Sequence, residues 1–310
     1  MLKNNLLKII VIVGPTASGK SGLAIKLAKK IGGEIISADS RQVYRGMDIG
    51  TGKVRKNEGY KGHLRKTKMP FVSGKIRHHL IDIVSPKKQF NASDFKKFGE
   101  KAIKEITAKG KIPVIVGGTG FYIDVLLGRM VMAEVPPNPK LRKHLEMLSA
   151  DHLFKTLLKL NPEYSQTIDR HNIRRLIRAL EITKVLGKMP PIKTESDKYE
   201  ILWLGLRPKD LERRIKERLY SRFRQKMTAE VKKLYRQGVS WKRLESFGLE
   251  YRWISRYLRG LISRKDMKEN LYKDIVKYSK RQMTWFNKNK EINWIKDQKE
   301  ADKLIKDFVS

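Results

Sequence analysis

The chain has 310 residues, 40% of them hydrophobic, which is enough for a sizeable core and for one large domain plus a smaller one. Lys and Arg number 69 against 32 Asp and Glu, a formal net charge of +37, which indicates a polyanionic partner unless the excess is only solvated surface lysine. There is no cysteine, which excludes disulfides, thiolate nucleophiles and cysteine-based zinc sites. We find no targeting or membrane segment and expect a cytoplasmic protein.

The first predicted strand leads directly into a glycine-rich loop. Residues 9–13 are five aliphatic residues that suit a strand buried on both faces, and residues 14–21 follow as Gly-Pro-Thr-Ala-Ser-Gly-Lys-Ser. Apolar residues then repeat at helical spacing as far as Ile31. Because the pattern G-x-x-x-x-G-K-[ST] stands between a strand and a helix, it predicts a phosphate-binding loop rather than a plain turn with a solvated lysine. Lys20 would reach the outer phosphate, and the Ser21 hydroxyl would ligate Mg²⁺.

The second predicted strand, residues 34–38, ends at Asp39. In an open α/β sheet the ligands lie outside the carboxyl ends of the strands, so Asp39 would face the same pocket as the phosphate loop. This position makes Asp39 a candidate general base. The alternative is a turn residue or a helix N-cap.

The chain that follows is basic. Residues 50–77 are rich in Lys, Arg and Gly and predict a long exposed loop or a small insertion. Residues 78–84 predict a strand, and residues 90–109 predict an amphipathic helix. His78 and His79 are not expected to share a metal ion, because neighbouring side chains on a strand point to opposite faces.

A further buried strand is predicted at residues 112–116, and a second glycine-rich turn follows at residues 117–122. This turn would open into the same crevice as the phosphate loop. Its glycines would permit close approach of the backbone to a ligand, and Thr119 would offer a hydroxyl to a phosphate oxygen.

From about residue 131 the character changes, because a proline-rich stretch breaks the pattern and only helical periodicities follow as far as Gly187. We interpret residues 131–194 as a helical domain inserted into an α/β core formed by residues 1–130 and 195–310.

The most informative helix of this insertion is predicted to begin after an N-cap at Asn172 and to end at a C-cap at Gly187. It carries an apolar stripe and a basic stripe, with Arg174 and Arg178 on one face. Exposed arginines are usually only solvated. Three arginines near a helix N-terminus, where carboxylates are favoured, instead suggest contact with a phosphate backbone.

Residues 199–206 predict a return to the sheet, and residues 209–237 predict one long helix. That helix carries Arg214, Arg218 and Arg222 at intervals of four, and one of them could reach the phosphates. The remaining chain is helical, basic and interspersed with aromatic residues, which can cradle RNA but at helical spacing more often form core.

With these residues in view, the chain resembles the tRNA dimethylallyltransferase (tRNA isopentenyltransferase) family over almost its whole length. The family's opening signature corresponds to residues 14–21, 37–44 and 46–51, and later motifs correspond to residues 78–82, 117–120, 178–181 and 280–285. The absence of cysteine fits the bacterial type, which lacks the zinc-finger extension of eukaryotic members. The fold expected is α/β, a P-loop NTPase-like parallel sheet flanked by helices, with an inserted all-helical tRNA-binding domain.

The resemblance implies transfer of a dimethylallyl group from dimethylallyl diphosphate to N6 of the adenosine 3′-adjacent to the tRNA anticodon, by a monomer with Mg²⁺ as cofactor. It implies catalytic roles for Asp39, Thr119 and Arg218. The residues implied to bind the diphosphate are Gly14, Pro15, Thr16, Ala17, Ser18, Gly19, Lys20 and Ser21. The residues implied to contact the anticodon stem-loop are Asp39, Ser40, Arg41, Gln42, Thr119, Arg142, Arg174, Arg175, Leu176, Ile177 and Arg178.

Two other functions share the phosphate loop. A small-molecule kinase that binds ATP would have the same loop and sheet, but it would not need the charge or the helical insertion. An RNA-binding NTPase would account for the charge, but it gives Asp39 and Thr119 no particular role.

Overall fold

A computed structural model of the protein describes residues 6–57, 70–190 and 198–310. The described residues of Met1–Gly128 and Ser196–Ser310 form one compact unit, here called the α/β unit, and those of Arg129–Glu195 form another, the helical unit. The strands are β1 (Leu7–Val13), β2 (Glu34–Ala38), β3 (Phe71–Ser73), β4 (Ile76–His79), β5 (Pro113–Gly117), β6 (Tyr199–Leu206) and β7 (Asn293–Ile295).

In the α/β unit the helices are α1 (Lys20–Lys30), α2 (Ala92–Thr107), α3 (Gly120–Leu126), α8 (Leu211–Arg224), α9 (Met227–Arg236), α10 (Trp241–Phe247), α11 (Leu249–Leu258), α12 (Arg264–Phe286) and α13 (Gln298–Val309). In the helical unit they are α4 (Pro139–Leu145), α5 (Ala150–Leu160), α6 (Pro162–Ser165) and α7 (Ile173–Leu186).

The sheet has the strand order β3-β4-β2-β5-β1-β6-β7, and only the edge pair β3 and β4 is antiparallel. The predicted α/β class with a mostly parallel sheet is therefore confirmed. The aliphatic strand β1 lies between β5 and β6, which is why it is apolar on both faces. In the parallel register Gly117 of β5 is opposite both Val13 of β1 and Ala38 of β2. The loops that follow these strands consequently leave the sheet side by side.

Two predicted elements are wrong in their extent. The strand predicted at residues 78–84 ends at His79, because Leu80 (φ 63°) and Asp82 (φ 57°) leave the extended conformation. The segment is held as a loop, since the backbone N–H of Asp82 donates to the Gln42 carbonyl and the carboxylate of Asp82 pairs with the ammonium of Lys53.

The single helix predicted at residues 209–237 is two helices, α8 and α9, because Lys226 takes the left-handed conformation at φ 68°. The break lets apolar residues of both helices, such as Leu219 and Val231, join one core. Of the basic stretch 50–77, the described part includes the β3–β4 hairpin, and residues 58–69 lie outside the described residues.

The caps predicted for α7 are confirmed. The Asn172 side chain accepts a hydrogen bond from the backbone N–H of Arg175, and Gly187 follows the helix with φ 76°. Within the helical unit, Leu176 and Ile177 of this helix pack in a core with Leu145 and Leu157.

Candidate active site

A cavity of about 630 Å³ opens at the carboxyl ends of β1, β2 and β5 in the α/β unit. Its wall includes the phosphate loop, Asp39, the turn at Gly117 and Gly118, and Arg218 of α8. The parallel register brings these loops together, as the strand-end argument predicts. Residues separated by some two hundred positions in the sequence therefore share one pocket.

The phosphate loop joins β1 to the N-terminus of α1, where backbone N–H groups and the helix dipole favour an anion. The ammonium of Lys20 donates to the carbonyl of Pro15 at 3.0 Å. The Ser18 hydroxyl is buried in this loop and has no hydrogen-bond partner among the described residues. The Ser21 hydroxyl lies at the first turn of α1 and lines the cavity. These groups form a cradle suited to phosphate oxygens.

The electrostatics of the cavity also favour an anion. Burial, together with the positive charge of Arg218, lowers the pKa of Lys20 to about 8, whereas the charge of Asp39 opposes the shift. Burial and the neighbouring Arg222 lower the pKa of Arg218 to about 10. Positive charges held out of water beside one another are stabilised by a multivalent anion.

The three arginines that the sequence places on one stripe of α8 have different environments. Arg214 pairs with Asp210, with Nε to Oδ1 at 2.7 Å. Arg222 is buried and pairs with Glu250 at 2.7 Å. Arg218 donates to the Thr16 hydroxyl at 3.4 Å and to the Gly52 carbonyl at 3.3 Å, so it is the one that contacts the phosphate loop.

Asp39 combines the two roles that the sequence left open. Its Oδ1 accepts the backbone N–H groups of Arg41 at 2.8 Å and Gln42 at 3.3 Å, which closes a turn after β2. Its other carboxylate oxygen makes no hydrogen bond with the described residues, and Asp39 lines the cavity. One oxygen thus orients the carboxylate, and the other is available to a ligand.

Hydrogen bonds hold both ends of the turn that Asp39 closes. The Ser40 backbone N–H donates to the Thr119 hydroxyl at 3.2 Å. The Gln42 side chain accepts a hydrogen bond from the Ser37 hydroxyl at 3.0 Å. Arg41 lies over the ring of Phe247, with its guanidinium carbon 5.5 Å from the ring centroid. Thr119 itself is not among the residues that line the cavity. Its predicted contact with the diphosphate therefore stays a prediction, and its observed contact is with the Asp39 turn.

The second glycine-rich turn needs its glycines for a reason that the sequence did not reveal. We predict from sequence that Gly118 and Gly120 admit a ligand, but a Cβ on Gly118 would lie 2.1 Å from the Gln282 side chain. A Cβ on Gly120 would lie 2.2 Å from the ring of Trp285. The two glycines therefore make room for helix α12.

Helix α12 supplies side chains that sequence reasoning missed. Gln282 accepts the Thr16 backbone N–H at 2.8 Å and donates to the Gly118 carbonyl at 2.9 Å. Tyr278 of the same helix also lines the cavity. The Lys-Arg-Gln-Met-Thr-Trp motif at residues 280–285 marks this helix in the sequence. The motif does not show which face of the helix contacts the loops.

Glu230 of α9 is a second residue that the sequence did not single out. Its carboxylate accepts three consecutive backbone N–H groups, those of Asp48, Ile49 and Gly50, at 2.8, 2.6 and 3.0 Å. The hydroxyl of Tyr251 also donates to it at 2.8 Å. This carboxylate fixes the loop that presents the Gly52 carbonyl to Arg218.

In the helical unit, the arginines predicted to contact tRNA fall into two pairs. Arg174 and Arg175 of α7 are exposed. Arg142 and Arg178 both bind the buried carboxylate of Glu181, with Arg142 forming two hydrogen bonds at 2.7 and 2.6 Å. Leu176 and Ile177 are buried, so the structure gives these two side chains a packing role and their contact with tRNA stays a prediction.

The described residues contain no helix that is long and apolar enough to cross a bilayer. Across 6–57, 70–190 and 198–310 there is also no group of three or more His, Cys, Asp or Glu side chains arranged to hold a metal ion. His79 instead contacts Glu34 at 2.8 Å.

Comparisons with known proteins identify the family to which this chain belongs. Residues 42–289 match the model of a family described as IPP transferase, and residues 7–74 match one described as isopentenyl transferase. The chain is 38% identical over 306 residues to tRNA dimethylallyltransferase 1 of Geotalea uraniireducens, covering 96% of this chain and 97% of that protein. It is 41% identical over 297 residues to tRNA dimethylallyltransferase 1 of Geotalea daltonii, covering 94% and 91%.

Solved structures give the same result. The full-length tRNA isopentenylpyrophosphate transferase from Bacillus halodurans superposes with a TM-score of 0.67 at 31% identity, covering 97% of this chain and 94% of that one. A eukaryotic dimethylallyltransferase described as acting on tRNA superposes with a TM-score of 0.71 at 28% identity, covering 90% and 70%. The family match spans most of the chain and the relatives are similar over nearly their whole length. The chain therefore belongs to the IPP transferase family.

Proposed function

We propose that the protein transfers a dimethylallyl group from dimethylallyl diphosphate to N6 of the adenosine 3′-adjacent to the anticodon of tRNA. The proposal rests on the groups that line one cavity. They are a phosphate cradle with Lys20 and Arg218, and the Asp39 carboxylate with one oxygen available. A leaving diphosphate needs the cations, and an attacking amine needs the carboxylate. The names of the relatives support the same reaction.

The diphosphate would lie in the cradle of residues 14–21. The Lys20 ammonium would exchange its contact with the Pro15 carbonyl for a phosphate oxygen, and the buried Ser18 hydroxyl would gain a partner. Ser21 fits a magnesium site, because Mg²⁺ is commonly held by one or two protein oxygens together with substrate phosphates. When bound there, Mg²⁺ would supply charge neutralisation to the diphosphate.

The bond that breaks joins the allylic carbon to the ester oxygen of the diphosphate, and diphosphate leaves with the electron pair. Negative charge grows on its oxygens as this happens, and Lys20 and Arg218 are already in place to stabilise it. The guanidinium of Arg218 is held by Thr16 and Gly52, so little reorganisation is required during the reaction.

The new bond forms between the adenine N6 and the allylic carbon. N6 loses a proton, and we assign its acceptance to the Asp39 carboxylate oxygen that the turn does not use. The target base would leave its stack to reach the cavity, as base-modifying enzymes require.

The net charge of +37 and the exposed Arg174 and Arg175 support tRNA as the polyanionic partner. Arg142 and Arg178 would add contacts through the guanidinium N–H groups that Glu181 does not occupy. The monomeric state and the cytoplasmic location stay predictions.

The kinase alternative is not favoured. It shares the phosphate loop with this chain, but the relatives that match along nearly the whole chain are named for dimethylallyl transfer.

The proposal is tested by incubating the protein with unmodified tRNA, Mg²⁺ and dimethylallyl diphosphate labelled in the prenyl group. Label should enter tRNA and be recovered on an N6-substituted adenosine after nuclease digestion. A parallel incubation with ATP tests phosphoryl transfer. If no label enters tRNA while ATP is hydrolysed or its phosphate transferred, the proposed function is wrong.

A further inference from the structure

Gln282 connects two separate loops of the candidate active site. It is 95% buried on α12, and 266 positions separate it from Thr16, to which it is hydrogen-bonded. Its Oε1 accepts the Thr16 backbone N–H at 2.8 Å, while its Nε2 donates to the Gly118 carbonyl at 2.9 Å. One amide thereby ties the phosphate loop to the second glycine-rich turn.

A carboxamide is the side chain that both contacts require, because the phosphate loop offers a donor and the glycine turn offers an acceptor. A glutamate carboxylate could accept from Thr16 but could not donate to Gly118. A methionine of similar size could do neither. The close approach of Gln282 Nε2 also requires a residue without Cβ at position 118.

The two loops lead to the two halves of the proposed reaction. Thr16 is hydrogen-bonded through its hydroxyl to Arg218, which faces the leaving group. Gly118 is followed by Thr119, whose hydroxyl accepts the Ser40 backbone N–H next to Asp39. Gln282 therefore connects the loop that would hold the diphosphate to the loop that contacts the Asp39 turn.

We infer that Gln282 is a positioning residue that fixes the distance between the diphosphate cradle and the Asp39 turn. The inference rests on the proposed function. Catalysis by proximity needs the allylic carbon and the amine aligned to within a fraction of an ångström, and a displacement of about 1 Å can lower the rate about 100-fold. Loss of the Gln282 bridge lets the two loops separate while each keeps its own ligand contacts.

The test compares Gln282→Met and Gln282→Glu with Glu269→Gln. Glu269 lies on the same helix, is exposed and stands outside the motif at residues 280–285, so it is a matched control. For each variant we would measure kcat and both KM values with labelled dimethylallyl diphosphate and tRNA, the tRNA affinity without donor, and the thermal midpoint.

Gln282→Met should lower kcat by about 10- to 100-fold with the tRNA affinity unchanged. Gln282→Glu should lower kcat and also raise KM for the donor, since it places a carboxylate beside the phosphate loop. Glu269→Gln should match the unmodified protein.

Hydrogen exchange gives a readout that does not depend on activity. The Thr16 amide and the turn at residues 117–120 should exchange faster in Gln282→Met, whereas peptides from the helical unit should be unchanged. A lower thermal midpoint with unchanged kcat would overturn the inference, because it would show a structural role only. A parallel loss of tRNA affinity would also overturn it, since that would indicate direct RNA contact. Absence of any transfer by the unmodified protein would instead refute the proposed function.

Discussion

Glu181→Gln should destabilise the helical unit selectively. Glu181 is 99% buried and accepts hydrogen bonds from Arg142 at 2.7 and 2.6 Å, from Arg178 at 3.3 Å and from the backbone N–H of Asn138 at 2.8 Å. Burial alone would raise the pKa of this carboxyl, but these hydrogen bonds outweigh it and the pKa is lowered. The folded unit therefore favours the ionised form of Glu181.

The magnitude follows from what the substitution leaves behind. Removing one partner of a buried ion pair costs about 3 to 5 kcal/mol. The side chains of Arg142 and Arg178 are each 34% exposed, so water recovers part of their hydration. We therefore expect a loss of about 2 to 4 kcal/mol, below the fully buried figure. Since the folded pKa is depressed, the same stabilisation should disappear in the unmodified protein as the pH falls through the pKa of Glu181.

Hydrogen exchange is the suitable assay, because it reports on peptides of the two compact units separately. A loss of about 2 to 4 kcal/mol corresponds to exchange about 30- to 1,000-fold faster in peptides from residues 135–186. Glu163→Gln, an exposed carboxylate in the same unit, is the control and should change exchange little. Replacing Glu181, Arg142 and Arg178 together by methionine should restore much of the loss, because no arginine is then left without its carboxylate. Acceleration below threefold, or equal acceleration in β1 and β5, would refute the reasoning.

Three further predictions concern the cavity. Asp39→Asn keeps the oxygen that accepts from Arg41 and Gln42 but removes the proton acceptor, so kcat should fall about 10²- to 10⁴-fold with tRNA affinity unchanged; an equal loss of tRNA affinity would show that Asp39 chiefly positions RNA. Arg218→Ala should raise the donor KM and lower kcat, whereas Arg222→Ala, which breaks the buried pair with Glu250, should chiefly lower the thermal midpoint. If Arg218→Ala and Arg222→Ala were equally stable and had similar kinetic defects, the assignment of different roles to these two arginines would be wrong. Lys20 has a pKa of about 8, so its amine is largely neutral at pH 9 in the empty cavity and should take up a proton when diphosphate binds. Calorimetric titration in buffers of different ionisation enthalpy measures this uptake, and Lys20→Arg should abolish it; equal uptake in that variant would place the titrating group elsewhere.

Local patterns of the sequence predicted much of the fold. The strand, loop and helix around residues 14–21 were recognisable because apolar periodicity and glycine spacing agree there. The caps of α7 were recognisable because asparagine favours the N-cap position and glycine favours the left-handed conformation at a helix C-terminus. The position of Asp39 at a strand end placed it in the cavity.

Features that depend on distant contacts were not predictable. Lys226 breaks the helix at residues 209–237 although lysine has no preference for positive φ, because packing of α9 against α8 decides the conformation. Arg214, Arg218 and Arg222 repeat identically on the helix surface, and only Asp210, Thr16 and Glu250 distinguish them. The bridge from Gln282 to the phosphate loop spans nearly the whole chain, and no local pattern encodes it.

The central claim is that the bond broken lies on the carbon side of the diphosphate. It is tested most directly with dimethylallyl diphosphate that carries ¹⁸O in the ester oxygen between the allylic carbon and the first phosphorus. This donor is incubated with the protein, Mg²⁺ and unmodified tRNA. Mass spectrometry should find all of the ¹⁸O in the released inorganic diphosphate, with an unlabelled dimethylallyl group on adenosine N6. Recovery of the ¹⁸O in dimethylallyl phosphate or dimethylallyl alcohol, with phosphate transferred to another acceptor, would contradict the account.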